Sequence, residues 1–259
     1  MEHQTAHRIL VALALRFQGD WGSIYETIRQ RKPAKVEEVR DQLDHLPCEA
    51  LTLVDPLYPE SLKKIAKPPF VLFYRGDIAC IQDMNHCVSY VGSRDSSPYG
   101  EKMAKELVSG IAKKGFTIVS GMARGIDGVA TKSALDSGGK AVGVLGCGID
   151  LAYPASHQDL YDRLSKEGLL LSEYPPGVKP ERDHFPARNR IIAGLSRLTI
   201  VGEASLHSGT LLTVGHALDF GRDVACVPYR ADEESACNRM IHDGAPIIES
   251  VDDVLELLR

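Results

Sequence analysis

The feature that most restricts this chain of 259 residues is a rhythm that starts at residue 86. Short runs rich in Val, Ile and Leu alternate with amphipathic stretches. HCVSYVGS precedes Tyr99 to Lys114, FTIVSG precedes GIDGVATKSALDSG, and AVGVLGCG precedes SHQDLYDRLSKEG. LLLSEY precedes a long loop and FPARN, LTIVGEA precedes GTLLTVGHALDFG, and VACVPY precedes a loop and CNRMIHDGA. An apolar run without alternation marks a strand covered on both faces. Parallel strands need a long crossover between them, and a helix supplies it. The pattern therefore predicts an α/β chain built on a doubly wound, mostly parallel sheet.

Residues 1–48 read differently. HRILVALALRF, GSIYETIRQ and VEEVRDQLDHL predict three helices, punctuated by Gly19, Gly22 and Pro33. They predict a small all-helical module ahead of a domain spanning 49–259. The proline-rich segment between them ends in the strand-like FVLFYRG. Ile9 to Leu15 is far shorter than the roughly 20 residues of a membrane helix. Glu2 precedes it and no small-residue cleavage site follows, so an amphipathic helix in a cytoplasmic protein is expected, with no membrane partner. The six cysteines lack any CxxC spacing and are expected to be reduced thiols in or near the core. No HExxH occurs among the nine histidines, and neither a metal site nor a cofactor is expected.

The net charge of −5 is unevenly spread. Residues 86–230 hold 17 Lys/Arg against 15 Asp/Glu, whereas residues 231–259 hold two against eight. The acidity sits largely in the tail, which leaves room for a local basic surface in the middle of the chain.

In an open parallel sheet the strand-to-helix loops emerge at the carboxyl edge, where ligands bind near a topological switch point. The unusual residues cluster in those loops: Gly92, Ser93 and Arg94 after the first strand of the rhythm, then Gly121, Arg124, Gly125 and Gly128 after the second. The loop after the fourth leads to Arg188, Asn189 and Arg190, and the fifth is followed by Ser208, Gly209 and Thr210. Glycines let backbone N–H groups approach a ligand, a helix start favours an anion, and arginine grips phosphate with two parallel bonds. Pro186 suits a first helical turn, and Arg188 and Arg190 then fall in that same turn. Two cations at the positive end of a helix make sense only if an anion joins them.

Other readings stay open at several positions. Gly92 and Gly121 also suit plain tight turns, and Arg94 a surface ion pair. Asp127 suits a structural role at a helix start. Arg190 and Arg197, seven apart, suit a solvated stripe. Glu173 and Glu203 end strands, as acid/base groups or as loop anchors, and Tyr174 and Phe185 suit base stacking or packing. The absence of GxxxxGK[ST], of a complete GxGxxG and of GxSxG disfavours P-loop, dinucleotide-dependent and α/β-hydrolase chemistry.

SGMARGIDGVA, GVLGCGIDLAYP, LLLSEYPPG, HFPARNRIIAGLS and the SGTLLT segment, in this order, make the chain resemble the DprA/Smf family of DNA-processing proteins. The similarity is dense over 86–230 and weaker outside it. The resemblance implies an extended Rossmann-like fold with a SAM-like helical module at 1–48. It also implies binding and protection of single-stranded DNA in natural transformation, loading of the RecA recombinase, and a homodimer through the C-terminal part of the Rossmann domain, without catalysis. Some members add a C-terminal winged-helix domain, which this sequence is expected to lack. Carried over residue by residue, the DNA-contacting elements match Gly92 to Arg94, Ser120 to Asp127, Phe185 to Ser196 and Ser208 to Leu211. The chain departs from the family pattern at Thr131, Ala155, Tyr229 and Ser235 to Asn238. A second reading, a Rossmann-type nucleotide phosphoribohydrolase of the LOG type, lacks its glutamate: Leu212 and Thr213 stand in HSGTLLT. The tail pairs acidic Asp232, Glu233, Glu234, Asp243, Asp252, Asp253 and Glu256 with apolar Ile241, Ile247, Ile248, Val254, Leu255 and Leu258. It reads as a solvated face or as the dimer or recombinase interface.

Overall fold

Each apolar run becomes a strand because its side chains are covered on both sides. A computed structural model describes residues 2–259. The strands of the rhythm are β3 (Cys87–Gly92), β4 (Thr117–Ser120), β5 (Ala141–Leu145), β6 (Leu169–Ser172), β7 (Leu198–Glu203) and β8 (Asp223–Cys226). Every residue of β3 to β6 is buried. Upstream lie β1 (Glu49–Thr52) and β2 (Val71–Gly76). The eight strands form one sheet in the order β1-β2-β6-β5-β4-β3-β7-β8. Pairings from β6 across to β8 are parallel, and β1–β2 and β2–β6 are antiparallel. The expected α/β class and mostly parallel sheet are what the chain adopts. The sequence predicts no separate strand at β1, a short edge strand with two buried residues.

The chain winds from β3 through β4, β5 and β6 in one direction, then jumps back to β7 on the other side of β3. The switch point therefore lies between the carboxyl ends of β3 and β7. There the pairing slips: Val91 faces Val201, but Gly92 faces Glu203.

The helices are α1 (Glu2–Arg16), α2 (Trp21–Arg29), α3 (Arg40–Asp44), α4 (Glu60–Lys63), α5 (Pro98–Lys113), α6 (Ile126–Asp136), α7 (Gln158–Glu167), α8 (His184–Leu195), α9 (Thr210–Asp219), α10 (Ala236–His242) and α11 (Val251–Leu257). Leu10, Val11 and Leu13 of α1 lie in the same buried cluster as Phe73 of β2 and Leu170 of β6, so the N-terminal helices share a core with the sheet. Gly19 permits that closeness: its φ is +81°, and a Cβ there would sit 2.8 Å from the Glu173 carbonyl oxygen. Among the described residues no helix is long and apolar enough to cross a membrane.

Three local expectations are corrected. VEEVRDQLDHL is not one helix: a 3₁₀ turn at Val36–Val39 leads into α3, after Lys35 in the left-handed region at φ +52°. The helix α8 begins at His184, two residues before Pro186, so Arg188 and Arg190 lie in its second turn. Pro186 is tolerated at the third position because the first four N–H groups of a helix have no intrahelical acceptor. Arg197 lies beyond α8 and is not part of a helical stripe; its Nη1 donates to the Leu258 carbonyl at 2.6 Å. In the tail, Ile248 and Val254 are fully buried and Leu258 nearly so, whereas Ile247 is exposed.

Candidate nucleic-acid interface

A cleft of about 310 Å³ opens at the switch point. It is lined by Gly92, Ser93 and Arg94 from the β3 loop, by Arg188 and Asn189 from α8, and by Ser208, Gly209 and Thr210 ahead of α9. With Ala123 and Asp127 from the segment after β4, four segments far apart in sequence meet there because the sheet delivers them to one edge. The Ser93 N–H donates to the Glu203 carbonyl at 2.8 Å, which extends the β3–β7 ladder into the loop. The Ser93 hydroxyl closes the next turn by donating to the Asp95 carbonyl at 3.0 Å.

Asp127 holds the floor. It is buried, and its Oδ1 and Oδ2 accept from the Gly92 and Gly121 N–H groups at 3.3 and 3.1 Å. It thus clamps the ends of β3 and β4, in keeping with the structural reading. Burial pushes its carboxyl up, against the charge of Arg188.

Arg188 is buried to 4% exposure. Its Nη1 donates to the Gly121 carbonyl at 2.5 Å and to the Val144 carbonyl, and its Nε donates to Asn189 Oδ1 at 3.2 Å. Gly121 is glycine because a Cβ there would lie 2.6 Å from Arg188 Nη2. Burial pushes the Arg188 guanidinium down to about 10; Asp127 opposes that shift and Arg94 adds to it. Arg94 itself is exposed, with its guanidinium 5.6 Å from the centre of the Phe185 ring. Two guanidiniums and one carboxylate line the cleft, and its fixed charge is therefore positive. An anion placed there removes the repulsion between Arg94 and Arg188.

The helix starts add to this field. Ser97, Ser235 and Ser250 cap α5, α10 and α11 with their side chains, whereas α6, α8 and α9 start at Gly125, Asp183 and Gly209 without a side-chain cap. An uncapped start leaves partial positive charge for a ligand to meet. Ahead of α9 the Ser208 hydroxyl donates to Thr210 Oγ1 at 2.9 Å and accepts the Thr210 N–H at 3.2 Å, so both hydroxyls face one another at the cleft wall.

A second cleft of about 350 Å³ adjoins the first, sharing Arg94, Phe185 and Arg188 with it. Gly121, the exposed Arg124 and Tyr153 line it. Tyr153 is 48% exposed and its ring lies 5.4 Å from that of Phe185 with the planes tilted by 35°, so Tyr153, Phe185 and Arg94 form a continuous row. Tyr153 is not among the residues singled out from the sequence; its position in the loop after β5, at the same sheet edge, is the signal that marks it.

Two expected members lie elsewhere. Gly125 serves loop packing: at φ +71°, a Cβ there would fall 2.3 Å from the Ser93 carbonyl oxygen. Arg190 points away from the switch cleft. Its Nη2 donates to Glu173 Oε1 at 2.6 Å, its Nε to the Lys67 carbonyl at 2.9 Å and its Nη1 to the Ala187 carbonyl at 2.8 Å. Successive residues of a helix turn by about 100°, so two residues apart face nearly opposite sides. The anion expected between the two arginines is, for Arg190, the Glu173 carboxylate. Glu203 also anchors a loop, accepting the Ser97 N–H at 3.1 Å and the Ser97 hydroxyl at 2.8 Å. Tyr174 stacks on His184 with centroids 3.9 Å apart and is buried.

The family model for DNA recombination-mediator protein A matches residues 49–259. Protein Smf of Synechocystis is 44% identical over 212 residues, which cover 80% of this chain and 53% of that protein. DNA processing protein DprA of Streptococcus pneumoniae is 39% identical over 243 residues, covering 90% of this chain and 85% of that one. The chain thus spans about half of the first relative and most of the second. The X-ray structure of DNA processing protein A from Streptococcus pneumoniae superposes with a TM-score of 0.81 at 35% identity, covering 96% of this chain and 92% of that one. A structure reporting the single-stranded DNA binding mode of DNA processing protein A from Helicobacter pylori superposes with a TM-score of 0.75 at 28% identity, covering 83% of this chain and 96% of that one. A match over this span, in sequence and in fold, assigns the chain to the DNA recombination-mediator protein A family, also called DprA/Smf.

Proposed function

We propose that this protein binds single-stranded DNA at the switch-point cleft and passes it to the RecA recombinase in natural transformation. The observation that carries the reading is the pairing of buried Arg188 with exposed Arg94 across a cleft flanked by uncapped helix starts. A phosphate in the cleft would meet both guanidiniums, and the tilted Tyr153–Phe185 pair beside it offers a sequence-tolerant platform for bases. The proposed contacts are Gly92, Ser93, Arg94, Gly121, Arg124, Arg188, Asn189, Ser208, Gly209 and Thr210, with Gly125 packing the loop that carries Ser93 and Arg94. Arg190 belongs to the site as a brace of α8. Binding without catalysis is the reading favoured by Glu173 and Glu203, since both strand-end carboxylates are engaged by Arg190 and Ser97.

The chain acts in the cytoplasm as a homodimer, joined through the C-terminal part of the sheet domain. Support comes from Leu212, Leu218 and Ile247, large apolar side chains left 48 to 61% exposed on this part of the chain. The helical residues 1–48 form a module attached to the DNA-binding domain 49–259.

The test is fluorescence anisotropy with labelled single-stranded and duplex oligonucleotides across a salt series, with and without RecA. Tight single-strand binding that weakens steeply with salt supports the reading. Equal affinity for duplex, or turnover of nucleoside monophosphates, refutes it.

A further inference from the structure

The loop from β4 to α6 brings Arg124 to the second cleft, and it holds Met122 in a conformation that its side chain disfavours. Met122 has φ +57°, in the left-handed region, where the Cβ of an L-residue crowds the carbonyl oxygen. Such a residue persists only where its surroundings over-determine it. We infer that His157 is a positioning residue of the DNA site: its imidazole ties the Met122 carbonyl to the segment after β5 and thereby keeps Arg124 in its binding place. The inference rests on the proposed function above.

The loop is gripped on every side of Met122. Ahead of it, the Gly121 N–H donates to Asp127 and the Gly121 carbonyl accepts from Arg188. Beneath, the Met122 side chain is buried and packs over Gly143 of β5, where a Cβ would lie 2.8 Å from its Cγ and 3.2 Å from its Sδ. Above, His157 Nδ1 lies 3.2 Å from the Met122 carbonyl oxygen. A carbonyl only accepts, so Nδ1 carries the proton. That oxygen belongs to the same peptide as the Ala123 N–H, which interacts with the Asp127 carboxylate. Asp127 and His157 therefore hold one peptide plane from its two ends. Without the imidazole the plane is held at one end only, and turning it over relieves the left-handed strain at Met122 while carrying Arg124 out of place.

The fold makes room for this ring. A Cβ on Gly128 of α6 would lie 2.6 Å from His157 Cε1, so glycine at that helical position seats the imidazole. The His157 N–H donates to the Pro154 carbonyl at 2.9 Å, which anchors it in the segment that supplies Tyr153. His157 lines neither DNA cleft. It borders a separate groove with Lys132 and Arg163, both of which pair with Asp136. Its influence on DNA therefore runs through Met122.

The experiment measures the anisotropy of a labelled oligothymidylate of about 16 nucleotides across a salt series. The full chain carries His157→Leu, His157→Asn, Arg124→Ala or the double change Arg124→Ala/His157→Leu. Asparagine places an amide nitrogen as many bonds from Cα as Nδ1, whereas leucine fills the space without a donor. His157→Leu should weaken binding and lower the salt slope by about one, the loss of one phosphate contact, although it removes no lysine or arginine. His157→Asn should restore both. Added to Arg124→Ala, His157→Leu should cost no further affinity, since both act on one contact. Trypsin gives a readout without DNA: His157→Leu should speed cleavage of the native chain after Arg124, and His157→Asn should not. His157→Ala, which also lacks the donor, decides the matter if the leucine variant does not fold. An unchanged salt slope in His157→Leu overturns the inference, as do losses that sum with Arg124→Ala, or an asparagine variant that binds no better than the leucine one. Unchanged binding in Arg124→Ala alone also overturns it and leaves the switch cleft in place. Unchanged binding in both Arg94→Ala and Arg124→Ala instead refutes the proposed function.

Discussion

The buried pair Arg190–Glu173 makes a quantitative prediction about a residue that sequence resemblance alone places in a DNA-contacting element. Both side chains are 7% exposed and their charged atoms are 2.6 Å apart. Arg190→Met removes the cation and leaves the carboxylate in a site from which water is excluded. It also removes the guanidinium donor to the Lys67 carbonyl. Breaking a buried ion pair by deleting one partner costs about 3–5 kcal/mol. A domain of this kind has a total stability of roughly 5–15 kcal/mol, so the loss is a large fraction of it. The melting temperature should fall by on the order of 10 °C. The double variant Arg190→Met/Glu173→Leu removes the stranded charge and should recover much of the loss, because apolar replacement of a buried pair is often neutral. Urea unfolding of the wild type, both single variants and the double variant closes the cycle and yields the coupling energy. Two results refute the reasoning: an unchanged urea midpoint in Arg190→Met, or a double variant that merely sums the singles. Loss of DNA binding at full stability in Arg190→Met would return this residue to the ligand.

Three further predictions concern the cleft and its supports. Arg94→Ala should weaken single-strand binding and lower the salt slope by about one, with stability changed by no more than about 0.5 kcal/mol, as measured by anisotropy and urea unfolding. Gly121→Ala places a Cβ 2.6 Å from Arg188 Nη2, so it should displace that guanidinium and reduce DNA affinity even though the new methyl group touches no ligand; unchanged affinity would show that Arg188 need not be held in place. Asp20→Ala should cost about 1 kcal/mol at neutral pH by removing the cap of α2. The Ser23 hydrogen bond holds the Asp20 carboxyl below its ordinary value, so this contribution is present above pH ~4 and fades as pH falls through the lowered folded value; urea midpoints of wild type and variant should therefore converge in acid.

The alternation of buried apolar runs and amphipathic helices determined the parallel sheet, because only a strand covered on both faces tolerates such runs. It also determined that the glycine- and arginine-bearing loops share one edge, since parallel strands connected by helices send their carboxyl ends the same way. Helix starts were less legible: Pro186 marks a first turn, yet α8 opens at His184, where Asp183 supplies only backbone. The sequence pairs Arg188 and Arg190 around one anion, but two residues apart on a helix they face nearly opposite sides. Which of them faces the cleft was not in the sequence. That was decided by the strand order, which sets β4 and β5 beneath Arg188 and sets Glu173 of the loop after β6 beside Arg190. Tyr153 acquires its place for the same reason, since it meets Phe185 only once β5 and α8 are brought to the same edge. Local pattern fixes what each element is. Long-range pairing fixes which side chain a buried charge meets, and that pairing depends on contacts more than a hundred residues apart, such as Arg190 with Lys67.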